Sequence, residues 1–126
     1  MTPLFMSTVA ALCAVLAGVI PASAQYPTRP VTLIVPFAAG GPTDTVARII
    51  AEHMAKTLGQ SIVVENDAGA GGTTATARAA RAPADGSTIV AASMGTYAAA
   101  PAQYPNLKYD PAEDFTPIGL KRKPRR

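Results

Sequence analysis

Apolar and polar positions along this chain follow two alternating patterns. Val31-Thr-Leu-Ile-Val-Pro36 is a nearly continuous β-branched apolar run that stops at a proline. Such a run predicts a strand buried on both faces of a parallel sheet. From Thr43 to Leu58 the period changes. Val46, Ile49, Ile50, Met54 and Leu58 recur at spacings of three or four and make one apolar helical stripe. Arg48, Glu52 and Lys56 fall on the other face, where Glu52–Lys56 is the better-oriented pair, worth about 0.2–0.5 kcal/mol. Gly59 then ends the helix as a C′ glycine. The pattern returns with a second strand over Ser61–Glu65 and an Ala- and Thr-rich helix over Gly72–Arg81. A turn at Ala82-Pro-Ala-Asp-Gly86 leads to a third apolar strand over Ser87–Ala92. Gln25–Pro30 reads as an extended lead-in held out of helix by Pro27 and Pro30. Ser93–Pro101 reads as a loop entering a short helix, and Phe115-Thr-Pro-Ile118 as the start of another strand. The fold class is α/β: a parallel βαβαβ sheet with flanking helices and right-handed crossovers.

Each of the first two strands feeds a glycine turn that opens a helix. The first turn is Phe37-Ala-Ala-Gly-Gly-Pro-Thr-Asp44, and the second is Gly69-Ala-Gly-Gly-Thr73. Gly40 and Gly41 permit left-handed backbone angles and close approach to the main chain. A strand–glycine–helix junction aims unpaired N–H groups and the positive end of a helix dipole at one place, so it can hold an anion without a basic side chain. In open parallel sheets ligands bind outside the C-terminal strand ends, where both turns fall. The candidate ligand residues are Phe37, Ala38, Gly40, Gly41, Thr43, Asp44, Gly69, Ala70, Gly71, Gly72 and Thr73. Ser93 and Thr96 follow the third strand to the same edge, with Tyr97 beside them. Each has a structural alternative. Thr43 and Asp44 suit a helix cap, Ser93 and Thr96 suit a turn and cap, and Asp44 would repel an anion.

The ends of the chain change the charge picture. Residues 1–24 read as an export signal: Val9–Ile20 is apolar, Pro21 breaks it, and Ala22-Ser23-Ala24 is a small-x-small site. That run is too short for a membrane span, which needs about 20 residues. Beyond it the chain has no cysteine, as suits an exported protein without disulfides. The chain holds 11 Lys and Arg against 8 Asp and Glu. Five of the basic residues crowd into Lys121-Arg-Lys-Pro-Arg-Arg126, and the body is mildly acidic. A nucleic-acid binder spreads basic charge over a face and interleaves aromatics; this chain does neither. His53 is the single histidine and lies on a helix flank. A transition-metal site or a Cys–His nucleophile therefore lacks material. Neither a nucleophile-elbow nor a nucleotide-binding glycine motif occurs. The rival reading is a small α/β hydrolase-like enzyme using the same amides as an oxyanion hole, with Ser93 or Asp44 as its working group.

Several motifs point one way: Tyr26-Pro-x-Arg-Pro30, Ile34-Val-Pro-Phe37, Gly40-Gly-x-x-Asp44, Ala47-Arg48, Leu58-Gly-Gln60, Val63-Val-Glu-Asn66, Gly69-Ala-Gly-Gly72, Ala84-Asp-Gly86 and Tyr109-Asp-Pro-x-x-Asp-Phe-x-Pro-Ile118. On these the chain resembles the periplasmic receptors of the tripartite tricarboxylate transporter family, or Bug-type receptors. The resemblance runs from Tyr26 to about Leu120. It implies a two-lobed clamshell that holds small carboxylates such as di- and tricarboxylates, aspartate, glutamate or nicotinate. It also implies hand-over of the ligand to the two subunits of a membrane permease. By similarity, the two glycine turns carry the first lobe's share of the site through backbone amides and bridging water. The reading expects a truncated first lobe over 25–120, monomeric, periplasmic and without cofactor, followed by an atypical basic tail over 121–126. Family members are much longer, and an apolar strand follows Pro117-Ile in them. Asp67 stands where members often carry a basic residue.

Overall fold

The computed structural model describes residues 25–119. The expected export signal and basic tail lie outside the described residues. Three parallel strands form one sheet: β1 (Val31–Val35), β2 (Ile62–Asn66) and β3 (Thr88–Val90), in the order β2-β1-β3. The central position explains the sequence of β1. Val31, Leu33, Ile34 and Val35 are all buried and only Thr32 is half-buried, so both faces of that strand are covered. β2 and β3 pair on one side only and are half-buried. The register pairs Val35 with Asn66 and Ile34 with Val90, which brings all three C-terminal strand ends to one rim.

The first helix, α1, spans Pro42–Leu58 and ends at Gly59, whose φ of 68° is left-handed as a C′ glycine requires. Lys56 pairs with Glu52 at 2.7 Å, as their spacing predicts. The buried face differs from the expected stripe. Asp44, Ala47 and Ala51 face inward, while Ile49 and Ile50 are 55% and 39% exposed. Ala47 and Ala51 pack with Leu33 and Val35, and Ile62 and Val64 border that cluster. Alanines bring the helix axis close to the sheet, and hydrogen bonds to Asp44 fix the rotation. Val46, Met54 and Leu58 of the expected stripe are half-buried, so the buried face is rotated from it towards the alanines.

Gly69 leads into a single 3₁₀ turn (Ala70–Gly72), and α2 follows over Thr73–Ala80. The α2 helix buries Ala75, Thr76 and Ala77 and packs on β1 and β3, whereas α1 packs on β1 and β2. With this strand order, right-handed crossovers put the two helices on opposite faces. Tyr26 donates its hydroxyl to Gly86 O at 2.6 Å, and Arg29 pairs with Asp85 at 2.6 Å. The lead-in is thereby tied to the turn before β3.

The stretch after β3 becomes helical sooner and lasts longer than expected. A π-helical turn over Gly95–Ala99 runs into α3, Ala100–Gln103. Pro101 is accommodated because it sits in the first turn of α3, where a missing N–H is no loss. The strand expected to begin at Phe115–Ile118 is absent among the described residues, and Ile118 is 79% exposed. Phe115 instead stacks against Tyr97 and Tyr109, with ring centroids 5.4 and 6.0 Å apart.

Candidate functional site

Parallel strands deliver three loops to the C-terminal rim of the sheet: 36–41 after β1, 67–72 after β2 and 91–95 after β3. They interlock at Gly72. Its φ is +89°, and a Cβ there would lie 2.9 Å from both Pro36 O and Thr96 Cγ2. Only a residue without a side chain lets the first and third loops close over the second. Two strand-end bonds extend the ladders into the loops: Asp67 N–H donates to Val35 O at 3.0 Å, and Ala91 N–H donates to Ile34 O at 2.8 Å.

The first loop is fixed by side chains. Asp44 is 2% exposed and accepts three hydrogen bonds. Gly40 N–H and Arg48 Nε donate to its Oδ2 at 2.8 and 3.0 Å, and Asn66 Nδ2 donates to Oδ1 at 2.9 Å. Asn66 also donates to Phe37 O at 3.2 Å and accepts from Arg48 at 2.9 Å. The Arg48 hydrogen bond, then those of Gly40 and Asn66, hold the Asp44 carboxyl at about 2, below its usual 3.8. Asp44 thus organises the loop as an ionised acceptor. Helix α1 starts at Pro42 with Gly41 as a cap that makes no side-chain bond, so neither Thr43 nor Asp44 is the N-cap.

The second loop is fixed by backbone conformation. Ala70, Gly71 and Gly72 have φ of 44°, 64° and 89° in succession. Thr73 donates its hydroxyl to Ala70 O at 2.9 Å, and the buried Thr76 hydroxyl donates to Gly72 O at 2.8 Å. In the third loop Ser93 and Thr96 form a reciprocal cap. Ser93 N–H donates to Thr96 Oγ1 at 3.1 Å, and Thr96 N–H donates to Ser93 Oγ at 3.3 Å. Thr96 is fully buried, and its carbonyl accepts the Tyr109 hydroxyl.

These bonds sort the candidate amides. Gly40 N–H is held by Asp44, Gly72 N–H donates to Gly69 O at 2.8 Å, and Gly41 N–H makes a long 3.4 Å bond to Ala38 O. Among the described residues the N–H groups of Ala38, Ala39, Thr43, Ala70 and Gly71 have no partner. Ala38, Ala39, Gly40, Ala70 and Gly71 are exposed, so the rim is paved with small side chains that leave the main chain accessible. Sequence reasoning passed over Asn66 as a site residue. Its signal was a polar side chain closing an apolar strand. It also passed over Tyr104, whose hydroxyl would be 2.8 Å from a Cβ on Gly71. Among the described residues no group of His, Cys, Asp and Glu could hold a metal ion, and no helix is long and apolar enough to cross a membrane.

The family model described as the tripartite tricarboxylate transporter family receptor matches residues 46–124. Protein BugT of Bordetella pertussis is 41% identical over 102 residues, covering 79% of this chain and 31% of BugT. The solved structure of MatC from Rhodopseudomonas palustris, with bound malate, superposes with a TM-score of 0.71 at 57% identity. It covers 74% of this chain and 32% of MatC. The periplasmic binding protein BugD gives a TM-score of 0.70 at 52% identity, covering 75% of this chain and 31% of its own. The chain therefore spans about a third of the length of the relatives it matches. This is a family of solute-binding receptors and not of enzymes, which overturns the hydrolase-like alternative. Those matches, together with the three-loop rim, place this chain in the tripartite tricarboxylate transporter receptor family.

Proposed function

We propose that residues 25–120 form the first lobe of a periplasmic receptor for small carboxylates, with the remaining contacts supplied by a second lobe outside this sequence. The ligand lies on the rim, where the unpartnered N–H groups of Ala38, Ala39, Ala70 and Gly71 reach its carboxylate oxygens directly or through water. Thr43 adds its free first-turn N–H. Gly40, Gly41, Asp44, Gly69, Gly72, Thr73, Ser93 and Thr96 set the loop shapes, and Phe37 backs the first loop. The observation that carries this reading is the junction at Gly72, which holds three strand-end loops together while leaving exposed amides on two of them. Malate bound to MatC supports a dicarboxylate as ligand. Residues 1–24 act as the export signal, the receptor works as a monomer, and it passes its ligand to the membrane permease of the transporter. No cofactor takes part.

A rim open on one side makes half a site. Closure cannot exclude water, so micromolar affinity, about 8 kcal/mol, is out of reach for this chain alone. Calorimetry with malate, other dicarboxylates and a neutral diamide analogue tests the reading. Dicarboxylates should bind in the millimolar range and the diamide should not. Equal binding of the diamide would contradict anion recognition, and a micromolar dicarboxylate site would contradict the need for a second lobe.

A further inference from the structure

Beside the second loop of the rim, α2 and the segment after α3 border a surface groove of about 220 Å³, and its Tyr104 reaches Gly71 of that loop. Thr73, Thr74, Ala77 and Arg81 line one wall, and Tyr104, Asn106, Leu107 and Lys108 line the other. Its charge is distinctive. Arg29, Arg48, Lys56 and Arg78 each pair with an acid. Among the described residues Arg81 and Lys108 are the two basic side chains without an ion pair, and both line this one groove, which no acid lines. The side chains of Thr74, Tyr104 and Asn106 also have no hydrogen-bond partner among the described residues. Arg81 caps the C-terminal end of α2, and Lys108 comes from a separate segment 27 positions later. The fold thus gathers two cations and three polar side chains able to donate around one small hollow. A site of this volume is below the roughly 300–1,000 Å³ of drug-sized ligand pockets and suits a compact ion.

We propose that this groove is a second anion site, adjoining the rim but with its own cations, that takes a compact oxyanion bearing phosphate or carboxylate groups between Arg81 and Lys108. It differs from the rim in kind. The rim offers backbone amides, its neighbouring cations Arg48 and Arg78 being paired with Asp44 and Asp67, whereas the groove offers unpaired positive charges, so its affinity falls with added salt. Guanidinium and ammonium groups are the side chains suited to carboxylate and phosphate oxygens.

The full chain, labelled with ¹⁵N, is titrated at neutral pH and low salt with inorganic phosphate, with malate and with phosphatidylglycerol vesicles. Phosphate or malate should shift the amides of Thr74, Arg81, Asn106 and Lys108. The double variant Arg81→Gln, Lys108→Gln should weaken that binding about tenfold while leaving any malate-induced shifts at Ala38 and Ala39, in the first loop, unchanged. An unaltered amide spectrum elsewhere shows that the double variant is folded. Absence of groove shifts, binding unaffected by the double variant, or a response to vesicles alone would overturn the proposal. Shifts confined to the groove would support it and contradict the rim reading instead, so the two fail independently.

Discussion

At the first glycine turn the backbone of Gly40 is fixed by a side chain, the buried carboxylate of Asp44, which Arg48 and Asn66 hold in place. At the second turn the side-chain bonds are local, from the Thr73 and Thr76 hydroxyls to Ala70 O and Gly72 O, and no buried carboxylate gathers them. Three successive left-handed residues and the missing Cβ of Gly72 set the shape, and its neighbours are the backbone and side chain of Pro36 and the methyl of Thr96. The two turns read alike in sequence, each a strand, a glycine pair and a helix. One depends on polar bonding that spans α1 and β2, the other on the absence of atoms. Similar loops can therefore fail for different reasons, and substitutions separate the two.

The largest effect is expected at Gly72. Gly72→Ala places a Cβ at 2.9 Å from Pro36 O in a left-handed backbone. Overpacking and the φ penalty together should cost about 2–4 kcal/mol. That lowers Tm by about 10 °C or more for a domain of this size, as thermal unfolding followed by circular dichroism would show. A Tm within about 2 °C of the parent would mean that the three loops are not locked there. Next comes Asn66→Ala, which removes donors from Asp44 and Phe37 O. Unfolding in urea should report a loss of about 1–2 kcal/mol, with faster hydrogen exchange at Gly40 and unchanged exchange at Gly72. Equal loosening of both turns would erase the distinction. Gly40→Ala is a milder probe. Its φ is +81°, yet nothing lies within 4 Å of the new Cβ. It should cost about 1 kcal/mol from backbone strain alone, clearly less than Gly72→Ala.

The smallest effect concerns acid. Asp44 titrates at about 2 in the folded chain against a usual 3.8, chiefly through the Arg48 hydrogen bond. Asp85 is held at about 2 as well, by the Ser87 hydroxyl first and the Ser87 N–H second, with Arg29 adding to them. Both pKa values are depressed by folding. Their stabilisation is therefore complete above about pH 4 and disappears as pH falls towards 2. Urea midpoints measured between pH 5 and 2 should decline across that window, and Asp44→Asn should flatten part of the decline. A flat profile in the parent chain would contradict the role assigned to the Asp44 network.

The βαβαβ succession, the parallel pairing and the α1 boundaries were legible because each rests on local pattern, whereas the spatial order β2-β1-β3 was not read. A continuous apolar run, a 3.6-residue period and a terminal glycine are visible without tertiary knowledge. The buried face of α1 was not legible. Ile49 and Ile50 outweigh Ala47 and Ala51 in any hydrophobicity count, yet close packing favours the alanines. Both glycine turns were visible, but which amides remain free was not. That depends on Asp44 reaching back to Gly40 and on the 3₁₀ closure of Gly72 onto Gly69. The Tyr97–Phe115–Tyr109 stack was also hidden, since aromatic residues far apart in sequence meet only after the chain folds back. Phe115 then serves packing in place of the strand its sequence suggests.

The rim itself is tested most directly by amide-resolved titration of the chain with malate at concentrations up to tens of millimolar. The account predicts that the N–H signals of Ala38, Ala39, Ala70 and Gly71 shift together along one binding curve, while those of Gly40 and Gly72, already bonded within the protein, move least. Shifts at only one of the two loops, or at neither, would contradict a shared carboxylate site.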